Sequence, residues 1–91
     1  MELVWTSKAL SDLERLYLFL AAVNQIAAAK TVQQLTAAPI TLQSNPRIGE
    51  RLDEFEARDV RRIFVGQYEL RYEIANATVY ILRMWHTREN R

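Results

Sequence analysis

The sequence predicts an α+β protein: an N-terminal strand and an αα-hairpin packed on one face of a small, largely antiparallel sheet, in the order β-α-α-β-β-β. Three observations carry that prediction. Apolar residues recur at helical spacing from residue 7 to about residue 43. The stretch 59–91, DVRRIFVGQYELRYEIANATVYILRMWHTRENR, holds three runs rich in β-branched and aromatic residues. Gly66 and Ala75-Asn76-Ala77 separate those runs and read as turns.

Leu3-Val4-Trp5 is a short strand ended by Thr6-Ser7, and either hydroxyl can cap the helix that follows. Leu10, Leu13, Tyr17 and Leu20, with Leu16 beside them, predict an amphipathic helix over residues 7–22. Lys8, Asp12, Glu14 and Arg15 fall on its polar face. After Asn24 and Gln25 a second helix runs over residues 25–43, with Ala28, Val32, Leu35, Pro39 and Leu42 on one stripe. Pro39 removes one backbone bond and clashes with the preceding turn. Either a kink or a full break fits, although Ile40 and Leu42 extend the stripe. The alanines of residues 26–30 allow the two helices to approach closely as a hairpin.

Asn45-Pro46-Arg47-Ile48-Gly49 is a turn by residue chemistry. Residues 50–58 form a charged loop, with at most a brief strand, anchored by Leu52 and Phe55. Strands follow over 60–65, 68–74 and 78–85. In the middle one Leu70, Tyr72 and Ile74 alternate with Glu69, Arg71 and Glu73, as in a sheet with one covered and one wet face. Strict alternation in the last strand puts Tyr80, Leu82 and Met84 on one side and Val79, Ile81, Arg83 and Trp85 on the other. Both sides are then apolar, so the strand is central or its outer face is covered by another chain.

Composition narrows the function classes. A chain of 91 residues, 49% apolar and 25% charged, reads as a single globular domain over 1–91. With no cysteine there is no disulfide framework, cysteine zinc site or thiol nucleophile, and a single histidine excludes a His-rich metal site. No metal and no cofactor are expected. The N-terminus lacks the features of a signal peptide, and no apolar run approaches the roughly 20 residues of a membrane span. The expectation is a cytoplasmic protein with no membrane partner. The net charge of +1 is unevenly spread. Residues 1–57 carry five basic and seven acidic side chains; residues 58–91 carry seven and four, and all seven are arginines. Arginine favours planar, bidentate contacts with carboxylates or phosphates.

Two groupings invite a chemical reading. Glu50, Asp53, Glu54 and Glu56 lie close together, but their spacing matches no metal-ligand loop and suits a solvated one. His86 ends the last strand. With Arg62 and Arg83 it could form a metal-free ribonuclease site, the histidine moving protons and the arginines stabilising phosphate charge. The competing reading makes His86 structural, bonded to the tail or a neighbouring strand. Trp85 beside it fits either the core or a contact anchor. With only Gly49 and Gly66, no glycine-rich phosphate loop is available.

Taken together, several segments resemble the RelE/ParE superfamily, the toxins of type II toxin–antitoxin modules found on plasmids and bacterial chromosomes. They are Ala9-Leu10-Ser11-Asp12-Leu13, Asn45-Pro46-Arg47-Ile48-Gly49, Val60-Arg61-Arg62-Ile63, Tyr72-Glu73-Ile74 and above all Ile81-Leu82-Arg83-Met84-Trp85-His86-Thr87-Arg88. The last is similar to the family's closing LRV-x-H-x-R. The resemblance implies a growth-arresting toxin held inactive by a cognate antitoxin. RelE-like members cleave mRNA on the ribosome; ParE-like members are not nucleases and poison DNA gyrase, and the resemblance also implies a role in plasmid stabilization. The nuclease branch usually carries an arginine just before Leu-Val-Tyr in the middle strand, and the matching residue here is Glu69. Residues 87–91 lack the terminal tyrosine of many such nucleases, and +1 is a low charge for binding ribosomal RNA.

The resemblance therefore favours a non-enzymatic gyrase inhibitor with no catalytic residues. Arg61, Arg62, Arg71, Arg83, Trp85, His86 and Arg88 are its candidate contacts with antitoxin or target. Under the ribonuclease alternative Arg62, Arg83 and His86 are the catalytic candidates, and ribosome and mRNA the partners. A third alternative is an inactive member that only binds its antitoxin. Sheet edges and the alanine-rich helix leave a homodimer open.

Overall fold

The computed structural model describes residues 1–89. Its elements are β1 (Glu2–Trp5), α1 (Ser7–Ala21), α2 (Gln25–Ala37), two 3-10 helices (Ala38–Gln43 and Pro46–Ile48), β2 (Glu50–Arg51), β3 (Asp59–Val65), β4 (Tyr68–Ala75) and β5 (Thr78–His86). The strands form one sheet in the order β1-β5-β4-β3-β2, antiparallel except for the β1–β5 pair. This is the predicted α+β order, with the hairpin over one face. No helix among the described residues is long and apolar enough to cross a membrane.

Helix α1 starts where the Thr6 hydroxyl accepts the Ala9 N–H at 3.2 Å. Its buried face is rotated from the predicted one. Ala9, Asp12 and Leu16 are buried, whereas Leu10 is 52% exposed and Tyr17 also faces water. Asp12 therefore leaves the polar face it was assigned to and enters the interface with the sheet. The second helix neither kinks nor breaks outright. It ends as an α-helix at Ala37 and tightens into a 3-10 helix that carries Pro39 in its first turn, where a missing N–H costs no bond. Leu35, Pro39 and Leu42 stay buried through the change, but Ile40 turns outward.

Two tight turns join the last three strands. Gly66 (φ 60°) sits in the first, and Asn76 (φ 53°) and Ala77 (φ 55°) form the second. Left-handed backbone at both central positions matches the right-handed twist of the paired strands. Opposite Arg71 and Tyr72 the β5 register slips by one residue at Leu82. That bulge corrects the strict alternation expected for this strand. Val79, Ile81 and Met84 share the core face, and Tyr80 and Trp85 are left on the other side. The strand lies between β1 and β4, and its outer face still carries Tyr80 and Trp85 beside Arg83.

The core joins Ala9 and Leu16 of α1, Leu35 of α2, Leu42, Leu70 and Tyr72 of β4, and Val79, Ile81 and Met84 of β5. The Tyr72 hydroxyl accepts the Gly49 N–H at 2.9 Å and donates to the Pro46 carbonyl at 2.7 Å. A Cβ on Gly49 would lie 2.5 Å from that hydroxyl and 2.7 Å from the Arg62 carbonyl. Close approach, not an unusual φ, is why the turn before β2 ends in glycine.

Candidate functional site

Strand β1 stops opposite Ile81, so on that side the rest of β5 has no strand beside it among the described residues. Side chains of α1 fill that edge. Thr6 donates its hydroxyl proton to the Ile81 carbonyl at 2.6 Å. Asp12 accepts the Met84 N–H at 3.0 Å, and Arg15 donates to the Met84 carbonyl at 3.3 Å. Exposed strand edges invite pairing with other chains, and this one is closed by a helix.

On the sheet face opposite the helices, the predicted arginines come together with carboxylates. Glu69, only 7% exposed, receives Arg71 Nε at 2.9 Å and stands 3.7 Å from Arg62. Arg62 also donates to Glu50 at 2.8 Å, and Arg58 makes a two-pronged contact with Glu73 at 3.0 and 2.7 Å. That contact holds Glu73 below the usual carboxylate range, against the opposing effect of burial. Arg71 stacks on Trp85, its guanidinium carbon 4.9 Å from the ring centroid. Arg83 grips Asp12 with two bonds of 2.7 and 3.1 Å. Burial pushes the Asp12 carboxyl up, but the bonds from Arg83 and the Met84 N–H outweigh it and leave it below its ordinary value. A groove of about 710 Å³ runs between these groups, with Lys8, Phe55, Arg58, Arg71, Arg83 and Trp85 among its walls.

His86 and Arg88 belong to a second place. His86 meets the Tyr68 ring edge-on, with centroids 5.2 Å apart. Its Nε2 lies 3.1 Å from the Gln67 side-chain oxygen, and its Nδ1 accepts the Arg88 backbone N–H at 3.1 Å. A neutral ring satisfies both when Nε2 carries the proton. These residues line an apolar groove of about 510 Å³ beside Leu16, Phe19 and Leu20 of α1.

The seven candidate residues thus divide. Arg62, Arg71, Arg83 and Trp85 lie around the outer face, and His86 and Arg88 at the tail groove. Arg61 joins neither, because it bonds Asp59 and the Arg47 and Gly49 carbonyls and holds the turn before β2. Arg83 lines one groove, His86 the other, and Arg62 neither. Among the described residues no group of three or more acidic, histidine or cysteine side chains could hold a metal ion. Asp12, Arg15 and Glu89 are not among the candidate contacts that the sequence predicts. A signal for Asp12 was present, since it stands three residues after Ala9 and four before Leu16, on the face that is buried.

Residues 3–91 match the family described as ParE toxin of type II toxin-antitoxin system, parDE. The chain is 31% identical over 85 residues to "Toxin RelE2" of Caulobacter vibrioides, covering 93% of each. It is also similar to the solved structure "Chromosomal ParDE TA system from P. aeruginosa", with a TM-score of 0.77, 25% identity, and 94% of this chain and 95% of that chain covered.

Proposed function

We propose that this chain, which belongs to the ParE toxin family of type II toxin–antitoxin systems, arrests bacterial growth by poisoning DNA gyrase and does not cut RNA. Membership makes it the toxin of such a pair, whose natural partner is an antitoxin. The gyrase target and a cytoplasmic site of action are the proposal. The observation that carries it is the place of Glu69. Its buried carboxylate lies between Arg62 and Arg71, where a nuclease would need uncommitted positive charge for the scissile phosphate. Every arginine of the outer face named above is matched with an acidic side chain of this chain. That arrangement suits a protein-binding surface better than a phosphate site. His86, with both ring nitrogens engaged locally, is likewise better placed to fix the tail than to move a substrate proton.

The test is expression without antitoxin, followed through both branches at once. Accumulation of gyrase–DNA cleavage complexes with intact translated mRNA is expected. Codon-phased mRNA cuts without cleavage complexes would replace this reading with the ribosome-dependent endonuclease. Unimpaired growth would leave a member that only binds its antitoxin.

A further inference from the structure

Exposed turns fray unless something ties them down, and the turn over residues 86–89 is tied down at every backbone N–H. All four backbone N–H groups of residues 86–89 have acceptors. His86 donates to Glu89 Oε1 at 2.8 Å, Thr87 to the Gln67 carbonyl at 2.9 Å, Arg88 to His86 Nδ1 at 3.1 Å, and Glu89 to the His86 carbonyl at 2.9 Å. The other Glu89 oxygen takes the Arg15 guanidinium. Arg15 is itself fixed by the Met84 carbonyl and by Asp12. The turn is thereby fastened to α1, and Thr87 and Arg88 are the residues it leaves exposed.

We infer that Arg15 and Glu89 are positioning residues for target recognition: they hold the turn over residues 86–89 in one conformation so that Arg88 meets the toxin's target without an ordering cost. The turn adds almost nothing to the core, since its members are polar and lie at the surface. Five bonds holding an exposed segment have their use at a contact, where pre-ordering raises affinity by removing entropy that binding would otherwise cost. The Arg15–Glu89 pair joins helix to turn, and its two side chains are 39% and 29% exposed, so it shapes the surface more than it supports the interior. The inference rests on the proposed toxin activity, with Arg88, one of the candidate contacts with the target, as the side chain that the turn presents.

The experiment compares Glu89→Gln, Arg15→Gln, Arg88→Ala and the Glu89→Gln/Arg88→Ala double variant. Potency is read as the protein level giving half-maximal growth arrest, alongside thermal midpoint and amide exchange at Thr87 and Arg88. Each single variant should lose potency by about ten-fold, and the double variant should lose no more than Arg88→Ala alone. Exchange at Thr87 and Arg88 should rise in Glu89→Gln while the thermal midpoint stays within about 2 °C of the parent. A purely structural role would move the midpoint and leave the two losses additive, and that result overturns the inference. Wild-type potency in Glu89→Gln and Arg15→Gln overturns it as well. If the parent arrests growth without gyrase cleavage complexes, the gyrase reading fails while the potency comparison still decides this one.

Discussion

At the scale of single residues, Asp12 ties the first helix to the sheet. It is 5% exposed and joins α1 to β5 through Arg83, the Met84 N–H and Arg15. Its folded carboxyl titrates below the unfolded value, so its contribution is present above about pH 4 and is lost as pH falls through the folded value. The thermal midpoint of the parent should therefore fall more steeply below about pH 4 than that of Asp12→Asn, which has no carboxylate to protonate there. Equal slopes in parallel melting curves would show that other carboxylates dominate acid unfolding. At neutral pH Asp12→Ala leaves the Met84 N–H and a half-covered Arg83 without their acceptor, and should cost about 2 kcal/mol after allowance for water at the guanidinium. Tyr72 makes a parallel case in the core. Tyr72→Phe keeps the ring but strands the Gly49 N–H and Pro46 carbonyl, and urea titration should show a loss of about 1–3 kcal/mol.

At the scale of elements, the second hairpin turn carries strain that sequence can relieve. Ala77 adopts φ 55°, where its Cβ crowds the following carbonyl, a conformation costing about 1–2 kcal/mol in a residue other than glycine. Ala77→Gly turns Ala75-Asn76-Ala77 into an Asn-Gly turn, the preferred chemistry for this geometry. Part of the gain is offset by the freer unfolded chain, so a net stabilisation of about 0.5–1 kcal/mol is expected, or roughly 2–8 °C in midpoint. A lower midpoint would mean that the Ala77 methyl contributes packing. These turns and strands were legible in the sequence because alternation and turn residues are local signals. The rotation of α1 was less so. Leu10 is the more apolar residue and Ala9 the buried one, because a small side chain lets the helix sit close to the sheet. The bulge at Leu82 was invisible to strict alternation, since one extra residue reverses every later side chain and nothing local announces it. For the same reason the arginines were legible as a group but their partners were not. Asp12 reaches Arg83 across 71 positions of sequence, and only the packed helix brings them together.

At the scale of the whole molecule, the protein-binding role proposed for the outer sheet face predicts an antitoxin segment held more by apolar contacts than by ion pairs. Trp85 and Phe55 give the groove its aromatic surface, with Arg71 laid across the indole. An acidic antitoxin would find the arginines already bound to Glu50, Glu69, Glu73 and Asp12. It would exchange one carboxylate for another, with little net gain in ion pairing. Two consequences follow for the complex with the cognate antitoxin. Affinity should depend only weakly on salt once exposed charges are screened. Trp85→Ala should weaken binding by about 10- to 100-fold, in the range of an aromatic anchor at an interface centre, and Arg71→Ala by less. Lys30→Ala, on α2 away from this face, should leave it unchanged. Arg83→Ala is the weaker probe, because it also uncovers the buried Asp12 and lowers stability, so its affinity has meaning only at temperatures where the variant is folded. Calorimetric titration at low and high salt reads all of this directly. A steep salt dependence with little effect of Trp85→Ala would mean that the antitoxin displaces the internal carboxylates and binds the arginines themselves.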